Sequence, residues 1–325
     1  MPESLAAAVA ERAIPPEPAA EALAAARFIA EAGGPSVLAV IFFGSRKTKA
    51  SPDASSAYDF FVLTGSCHPF YEGLRRRGLA HRSPALLALL NHLLPPNQIS
   101  IETGGVTDRR LRAKCAVMPL ADFLKASSGR RLDHFVLGRF CQPVEILFAA
   151  GDEVRHRVLA AVVSAHRLTY LWVRPWLPRE FDLETYCRTA LRVSYAGEIR
   201  PEPEGRADAL WRAQEGYHRP VYGALLAELA AQGEVTQSDS GAYRLARPAA
   251  AWERLRLALY FRWSKVRATA RWAKYVLTFE GWLDFIVSKA RRHSGQAIDL
   301  SERERRRPLL YLWPRVIRYL RHKDR

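Results

Sequence analysis

The two apolar segments on either side of Gly44-Ser45 constrain the fold of this chain more than any other feature. Residues 36–43 read as a continuous apolar run that ends at this glycine-serine step. Residues 58–63, after a polar and turn-rich stretch, are again apolar and aromatic around one acid, Asp59. Apolar runs of this length, bounded by turn residues, are typical of strands buried on both faces. The sequence therefore predicts two neighbouring buried strands, with a loop between them and an acid on the second.

A glycine-serine turn that faces an acid on the next strand can hold a nucleoside triphosphate and its metal. Glycine has no Cβ, so the backbone N–H groups beside Gly44 can approach phosphate oxygens closely, and the Ser45 hydroxyl adds a donor. Asp59 would then bind Mg²⁺ that bridges the phosphates. Nucleotidyltransferases related to DNA polymerase β share this order of strand, turn, loop and acid, so the segment resembles their nucleotide site.

The same segment lacks one feature of that superfamily, which carries two acids two residues apart on the second strand. Here the first acid position is Ala57. Two metals share the charge of an in-line displacement, so a single acid needs a further carboxylate. Glu102, at the end of the predicted strand 98–102, is the candidate second metal ligand, and Asp53 in the loop is a weaker one. An ordinary hairpin with one buried, hydrogen-bonded aspartate is the alternative interpretation.

The rest of the chain alternates between helical and strand-like patterns. The predicted helices are 4–32 with a break at Ile14-Pro15-Pro16, 83–94, 120–126, 131–141 and most of 147–230, the predicted strands are 98–102 and 111–118, and a hairpin is predicted within 233–248. This order predicts an α/β fold in the broad sense (α+β). Its central part would be a polymerase-β-like nucleotidyltransferase domain with a mixed sheet.

Composition divides the chain into four predicted regions. An N-terminal helical segment covers residues 1–35, the nucleotidyltransferase domain 36–146 and a helical domain 147–232. Residues 233–325 form a C-terminal region in which Arg, Lys, Trp and Tyr become frequent. Basic residues interleaved with aromatic rings suit an anionic membrane surface or nucleic acid, and they also suit a helical subdomain with an aromatic core.

The net charge of +16 favours an anionic partner, which can be nucleic acid, an acidic membrane surface or a polyphosphate. The four cysteines form no Cys-x-x-Cys pair and their spacing to histidine fits no zinc site, so free thiols are predicted. No segment approaches the ~18–20 uninterrupted apolar residues of a membrane helix. Acidic residues occur early in the chain, unlike in targeting peptides. The Ala- and Arg-rich composition predicts a bacterial cytoplasmic protein.

Three further stretches add to the glycine-serine turn and its acid, and all four agree in order and spacing with one family. They are residues 114–117 (Lys-Cys-Ala-Val), 137–146 (Leu-Gly-Arg-Phe-Cys-Gln-Pro-Val-Glu-Ile) and 194–200, which begins Ser-Tyr-Ala-Gly and ends in Arg. They resemble the motifs Lys-Tyr-Gly-Val, Ala-Gly-Arg-Leu-x-Lys-Pro-Val-Lys-Ile and Ser-Tyr-x-Gly-x-x-Arg of the mitochondrial-type phosphatidate cytidylyltransferases, the translocator assembly and maintenance family. That family also has a single acid in an apolar, Phe-containing strand. The likeness covers about residues 37–225.

This resemblance implies a reaction and a set of roles. CTP and phosphatidic acid would give CDP-diacylglycerol and pyrophosphate, in a Mg²⁺-dependent nucleotidyl transfer of phospholipid (cardiolipin-type) biosynthesis. Gly44 and Ser45 would cradle the triphosphate, and Asp59 would carry Mg²⁺. Lys114 and Arg139 would neutralise phosphate oxygens, so that catalysis rests on positioning and on charge neutralisation.

The resemblance also implies that Ser194, Tyr195 and Arg200 line the far wall of the site, near the nucleotide or the lipid headgroup. Taken without the resemblance, these residues have plainer interpretations. Lys114 is also typical of an edge strand, Arg139 of a structural salt bridge, and the Ser-Tyr-x-Gly motif of a helix end with a terminal glycine.

The lipid substrate decides the predicted partners and location. They are CTP, phosphatidic acid and an anionic membrane surface, with nucleic acid less favoured, at the inner face of the bacterial cytoplasmic membrane. Binding would be peripheral, through the C-terminal region. Two alternatives stay open: a nucleotidyltransferase that acts on another acceptor (tRNA, a small molecule or a protein), and a degenerate, non-catalytic module that binds lipid or nucleic acid.

Overall fold

A mixed five-stranded sheet lies at the centre of the structure, as the sequence predicted. Its strands are β1 (Val37–Phe43), β2 (Tyr58–Thr64), β3 (Asn97–Gly104), β4 (Arg110–Pro119) and β5 (Glu145–Ala149). They lie in the order β3-β4-β2-β1-β5. Strands β2 and β4 are parallel, and the other neighbouring pairs are antiparallel.

The computed structural model describes residues 3–48, 57–104, 110–197, 205–239, 241–278, 301–306 and 311. Residues 1–278 form one compact unit, and residues 279–325 form a second. In the second unit the described residues include one short helix, Glu302–Arg306. The predicted site residue Arg200 and the loop acid Asp53 lie outside the described residues.

Helices surround the sheet in the first unit. They are α1 (Leu5–Ala13), α2 (Ala20–Gly33), α3 (Ser45–Thr48), α4 (Cys67–Arg76), α5 (Pro84–Leu93), α6 (Leu120–Ala126), α7 (Leu137–Phe140), α8 (Asp152–Val173), α9 (Leu183–Ser194), α10 (Arg206–Ala231) and α11 (Ala251–Thr278). The break predicted at Ile14-Pro15-Pro16 separates α1 from α2, and the side chain of Ser4 caps α1 by accepting from the Ala7 N–H at 3.2 Å.

The two faces of the sheet carry separate apolar cores. Side chains alternate along β2, so Phe60 and Val62 pack with residues of α2 and α4, while Phe61 and Leu63 pack with residues of α1, α6 and α8 to α10. We call these sides the α2 face and the α8 face. The ring of Phe61 is fully buried and lies within 6.2 Å of Phe43, Phe123, Phe135 and Phe140. By the same alternation Asp59 lies on the α8 face, next to this aromatic cluster.

Two predicted elements are wrong. The helical pattern expected from residue 147 begins instead with an edge strand, since β5 pairs with β1 through Ile146 and Phe148. The helix expected over 131–141 is reduced to α7. The carboxylate of Asp133 accepts a hydrogen bond from the Phe135 N–H at 3.0 Å, and this local turn replaces the first helical turns.

A small second sheet confirms the hairpin predicted within 233–248. Its strands are β6 (Glu180–Phe181), β7 (Val235–Gln237) and β8 (Tyr243–Leu245), in the order β6-β8-β7. The hairpin follows α10, and β6 precedes α9. The sheet therefore ties the two ends of the α9–α10 segment together.

Helix α11 belongs to the first unit and is held there by buried charges. Arg267 donates to Asp133 Oδ2 at 2.7 Å, and Arg271 forms a buried ion pair with the same oxygen. Burial raises the pKa of Asp133, but the Arg271 and Arg267 guanidiniums and the Phe135 N–H together hold it below its ordinary value. Lys274, also buried, donates to the carbonyls of Leu90, Leu94 and Pro96 at the carboxyl end of α5.

Candidate functional site

The turn after β1 and the acid of β2 are in direct contact. Phe43 pairs with Asp59 in the antiparallel register, so Gly44 follows immediately beyond the pair. Gly44 has φ of +87°, in the left-handed region that favours glycine. A Cβ at this position would lie 2.4 Å from Asp59 Oδ2 and 2.9 Å from Asp59 Cβ. The carboxylate therefore lies against the backbone of the turn, and Ser45 begins α3 directly after it.

Lys114 lies beside Asp59 on the neighbouring strand. The two residues are partners in the parallel register of β2 and β4, so their side chains project from the same face. Neighbouring strands are about 4.8 Å apart, which is within reach for an ammonium and a carboxylate. Both side chains are half-buried. The structure thus brings together three of the predicted site residues: Gly44, Asp59 and Lys114.

Glu102 is not brought to the same place. It pairs with Arg112 on β4, and it is exposed. Two strand spacings and two residues along the strand separate it from Asp59, which gives roughly 12 Å between the Cα atoms. It lies at the level of the buried Ala57, with Arg112 in between. Among the described residues, no group of three or more His, Cys, Asp or Glu side chains could hold a metal ion.

Arg139 lies on the Asp59 side of the sheet, against an aromatic ring. Its guanidinium is 3.8 Å from the centre of the Phe135 ring, and its Nη1 donates to the Phe135 carbonyl at 2.7 Å. The Phe135 ring is in turn 6.0 Å from that of Phe61, two residues after Asp59. These contacts fix the plane of the guanidinium, so Arg139 is presented in one orientation.

The Gly138-Arg139 and Ser194-Tyr195 stretches, more than fifty residues apart in sequence, also touch. A Cβ on Gly138 would lie 2.8 Å from the Ser194 carbonyl oxygen, so only glycine allows this approach. The Ser194 hydroxyl is buried and donates to the Leu191 carbonyl at 2.6 Å, within its own helix. That bond makes Ser194 a packing residue, while Tyr195 is half-buried.

Two glutamines, neither of them among the predicted site residues, form a chain of hydrogen bonds that ends at the Tyr195 hydroxyl. Gln142 Nε2 donates to the Tyr195 hydroxyl at 3.4 Å, and Gln214 Nε2 donates to Gln142 Oε1 at 3.3 Å. Gln142 follows α7 in the chain, and Gln214 comes from α10. No sequence spacing relates these three residues, because α10 contacts the site only through the tertiary fold.

Two basic residues after the glycine-serine step were also missed as site residues. Lys47 forms an ion pair with Glu145 of β5, whose side chain is only 6% exposed. Arg46 donates to the Tyr58 hydroxyl at 3.0 Å and lies 4.3 Å from the centre of its ring. The signal available in the sequence was the cluster of basic residues directly after Ser45.

Tyr58 precedes Asp59 but faces the opposite side of the sheet. Its hydroxyl donates to Glu21 of α2. Burial, and then this hydrogen bond, raise the pKa of Tyr58 to about 12. The phenol is therefore neutral at physiological pH, and its role is to connect Arg46 to Glu21.

Helix α11 exposes an apolar stripe on the side away from its buried face. The buried face is formed by Leu257, Phe261, Ser264, Arg271, Lys274 and Thr278. The stripe is formed by Trp252, Leu255, Leu259, Trp263 and Val266, each more than half exposed. Spacings of three and four residues keep the stripe on one side of the helix. In the part of the chain that the structure describes, no helix is both long and apolar enough to cross a membrane.

Comparison with known proteins adds no family to this geometry. No protein-family model matches the chain, and no curated protein matches it.

Proposed function

We propose that this protein is a nucleotidyltransferase of polymerase-β-like fold that transfers the cytidylyl group of CTP to phosphatidic acid. The observation that carries the proposal is the contact of Asp59 with the Gly44 turn, with Lys114 beside it. A carboxylate, an ammonium and a glycine turn that lie close together on the inner strands of the sheet suit a triphosphate and its counter-charges. The four stretches that resemble the phosphatidate cytidylyltransferases supply the choice of CTP and of a lipid acceptor.

The donor set fits Mg²⁺ with one protein carboxylate. Magnesium commonly binds one or two carboxylates and completes its octahedron with substrate phosphates and water. Asp59 would be the protein ligand, while Glu102, exposed and two strands away, lies apart from it. When bound, the ion would neutralise charge that develops on the phosphate oxygens.

The remaining residues would act by position and charge. An oxygen of the phosphatidic acid phosphate attacks the α-phosphorus of CTP, a new P–O bond forms, and the bond to the β-phosphate breaks as pyrophosphate leaves. With a second pKa of about 6, the acceptor phosphate is largely dianionic at neutral pH, so it requires no general base. Lys114 and the oriented Arg139 would neutralise non-bridging oxygens, and Tyr195 would define the opposite wall.

A lipid substrate also requires contact with a membrane, and two features of α11 support this part of the proposal. Its exposed stripe carries two tryptophans and lies between exposed arginines, among them Arg256 and Arg262. Apolar rings bordered by cationic side chains suit the headgroup region of an anionic bilayer. We therefore keep the inner face of the bacterial cytoplasmic membrane as the proposed location.

Labelled CTP separates this function from its alternatives. The protein is incubated with the nucleotide, Mg²⁺ and phosphatidic acid, and lipid-soluble label is measured. The wild type should form labelled CDP-diacylglycerol, Asp59→Asn should form none, and Asp152→Asn, an exposed aspartate on α8, should behave as the wild type. Transfer to RNA instead of lipid would contradict the proposed acceptor.

The degenerate-module alternative has one specific observation in its favour. Ala57 occupies the first acid position, and Arg112 lies between it and Glu102. If none of the four nucleoside triphosphates is turned over by a protein that still binds vesicles, this alternative replaces the enzyme.

A further inference from the structure

Helix α5 is apolar on its outward side as well as its inward side. Leu87 and Asn91 face the core and are buried. On the opposite side, Leu86 is 42%, Leu89 54% and Leu93 66% exposed. Spacings of three and four residues place these leucines in one stripe. Single exposed leucines are ordinary, but a stripe of three on one short helix marks an interaction surface.

The chain around this stripe is basic and contains no acid. From residue 73 to residue 101 there is neither Asp nor Glu. Four exposed arginines precede the helix: Arg75, Arg76, Arg77 and Arg82. Glu72 on α4 forms an exposed ion pair with Arg76 at 3.6 Å, and exposed pairs of this kind contribute little. Apolar side chains bordered by an excess of cations complement an anionic lipid surface, where guanidiniums pair with phosphates.

Helix α5 cannot rotate about its axis to bury these leucines, because hydrogen bonds hold both its buried side and its carboxyl end. Asn91 Nδ2 donates to the Val117 carbonyl of β4 at 3.0 Å. At the carboxyl end, Lys274 donates to the Leu90 carbonyl at 3.3 Å and Arg271 to the Pro95 carbonyl at 3.0 Å. Covering the stripe therefore needs a partner from outside this packing.

We propose that the arginine–leucine surface, formed by Arg75, Arg76, Arg77, Arg82, Leu86, Leu89 and Leu93, docks on an anionic lipid bilayer. The leucines enter the boundary between headgroups and acyl chains, and the arginines bind lipid phosphates. The choice of a bilayer rests on the proposed function, in which the acceptor is a membrane lipid. Residues 233–325 are the region in which the sequence predicts membrane contact, and the arginine–leucine surface would be a second contact within residues 1–278.

Vesicle flotation without nucleotide tests the surface. Vesicles contain either equimolar phosphatidylcholine and phosphatidylglycerol or phosphatidylcholine alone. The double variant Leu89→Glu/Leu93→Glu should have an affinity for the anionic vesicles that is lower than that of the wild type by roughly tenfold or more. Leu171→Glu on α8 is the matched control, since Leu171 is also 54% exposed, and it should bind as the wild type.

The salt dependence of vesicle binding tests the role of the arginines. Arg75→Gln/Arg77→Gln should weaken binding to anionic vesicles and reduce its salt dependence, while binding to phosphatidylcholine alone stays low throughout. Thermal unfolding of each variant establishes that it is folded.

Three results would overturn the proposal. One is a folded leucine double variant that floats as the wild type does. Another is a Leu255→Glu variant on α11 that no longer floats while the leucine double variant still floats as the wild type does, which would assign the membrane contact to α11. The third is conversion of a dimer to a monomer by the double variant without change in flotation, which would identify a second copy of the chain as the partner. Turnover of a water-soluble short-chain phosphatidate by the wild type tests the proposed function separately.

Discussion

The Asp59 carboxylate lies against the backbone of Gly44, 2.4 Å from the point that a Cβ would occupy. A substitution at position 44 must therefore move the carboxylate, in addition to adopting a positive φ.

Under the proposed function, Gly44→Ala should reduce CDP-diacylglycerol formation by about a hundredfold or more, because the displaced carboxylate would lose the position from which it is proposed to hold the metal. Gly233→Ala is the control, since Gly233 has φ of +72° and open space around its Cβ position. Both variants should lose about 1–2 kcal/mol of stability through backbone strain. Equal activity of the two variants would show that the contact with Asp59 is not needed.

Under the proposed function, Lys114→Met should reduce turnover by about a hundredfold, because the ammonium beside Asp59 would neutralise charge in the transition state. Lys125→Met on α6 changes the same residue type away from the site and should be silent. The measurement is kcat and KM for CTP. A normal kcat with a stability loss alone would return Lys114 to a structural role.

Arg139→Lys keeps the charge but loses the planar contact with Phe135. We expect a roughly tenfold or larger fall in kcat/KM, since a lysine ammonium has neither the fork geometry nor the fixed plane of the guanidinium. Arg155→Lys, an exposed residue paired with Asp152, is the comparison. Full activity of Arg139→Lys would mean that only its charge matters.

The protein should lose stability as the pH falls from about 6.5 towards 4. Burial lowers the pKa of His166 to about 4, and its ring bonds to the Val162 carbonyl and the Tyr217 hydroxyl in the neutral form. The unfolded chain takes up this proton near pH 6.5, so in that window it binds more protons than the folded protein. The full effect is about 3 kcal/mol.

His166→Gln should reduce this pH dependence of the denaturation midpoint without abolishing it, because burial also lowers the pKa of His134 and of His218 to about 3. Its stability at pH 8 will differ from that of the wild type. His156→Gln changes an exposed histidine of the same helix and should keep the wild-type slope. An unchanged slope in His166→Gln would assign the dependence to another group, of which His134 is the first to examine, because burial lowers its pKa to about 3.

Lys274→Met should destabilise the protein by about 1–3 kcal/mol, because the three carbonyls that accept from Lys274 lose their donor in a buried place. Lys265→Met, on the exposed side of the same helix, should change stability little. Hydrogen exchange should become faster in α5 in the first variant only. Protection equal to that of the wild type would show that α5 is held without Lys274.

The strands of the fold follow from the sequence because apolar runs bounded by turn residues carry their own signal. The strand β5 was not predicted, because the helical pattern assigned from residue 147 overlaps its last three residues and its apolar run is short. Most of the helix predicted over 131–141 does not form, because the Asp133 carboxylate bonds to the Phe135 N–H and pairs with Arg267 and Arg271. Both arginines lie more than 130 residues later in the sequence. No local pattern contains that information.

The site shows the same division. The contact of Gly44 with Asp59 spans one hairpin and could be expected from spacing. Lys114 lies beside Asp59 because β2 and β4 pair in parallel, and the sequences of the two strands do not specify that they are neighbours in the sheet. The contacts of Gln142 and Gln214 with Tyr195, and of Lys47 with Glu145, join distant segments of chain. They became visible only with the tertiary structure.

The ion pair between Asp133 and Arg271 also has a consequence for folding during synthesis. The two residues are 138 positions apart, and at ~5–20 residues per second a ribosome needs roughly 7–28 s to make the interval. Until α11 emerges, the carboxylate of Asp133 cannot be buried without leaving a charge unpaired. Phe135, which lies 4.8 Å from the Arg271 guanidinium and supports Arg139, is ordered by the same event. This wall of the candidate site therefore reaches its native packing only after residue 271 has been synthesised.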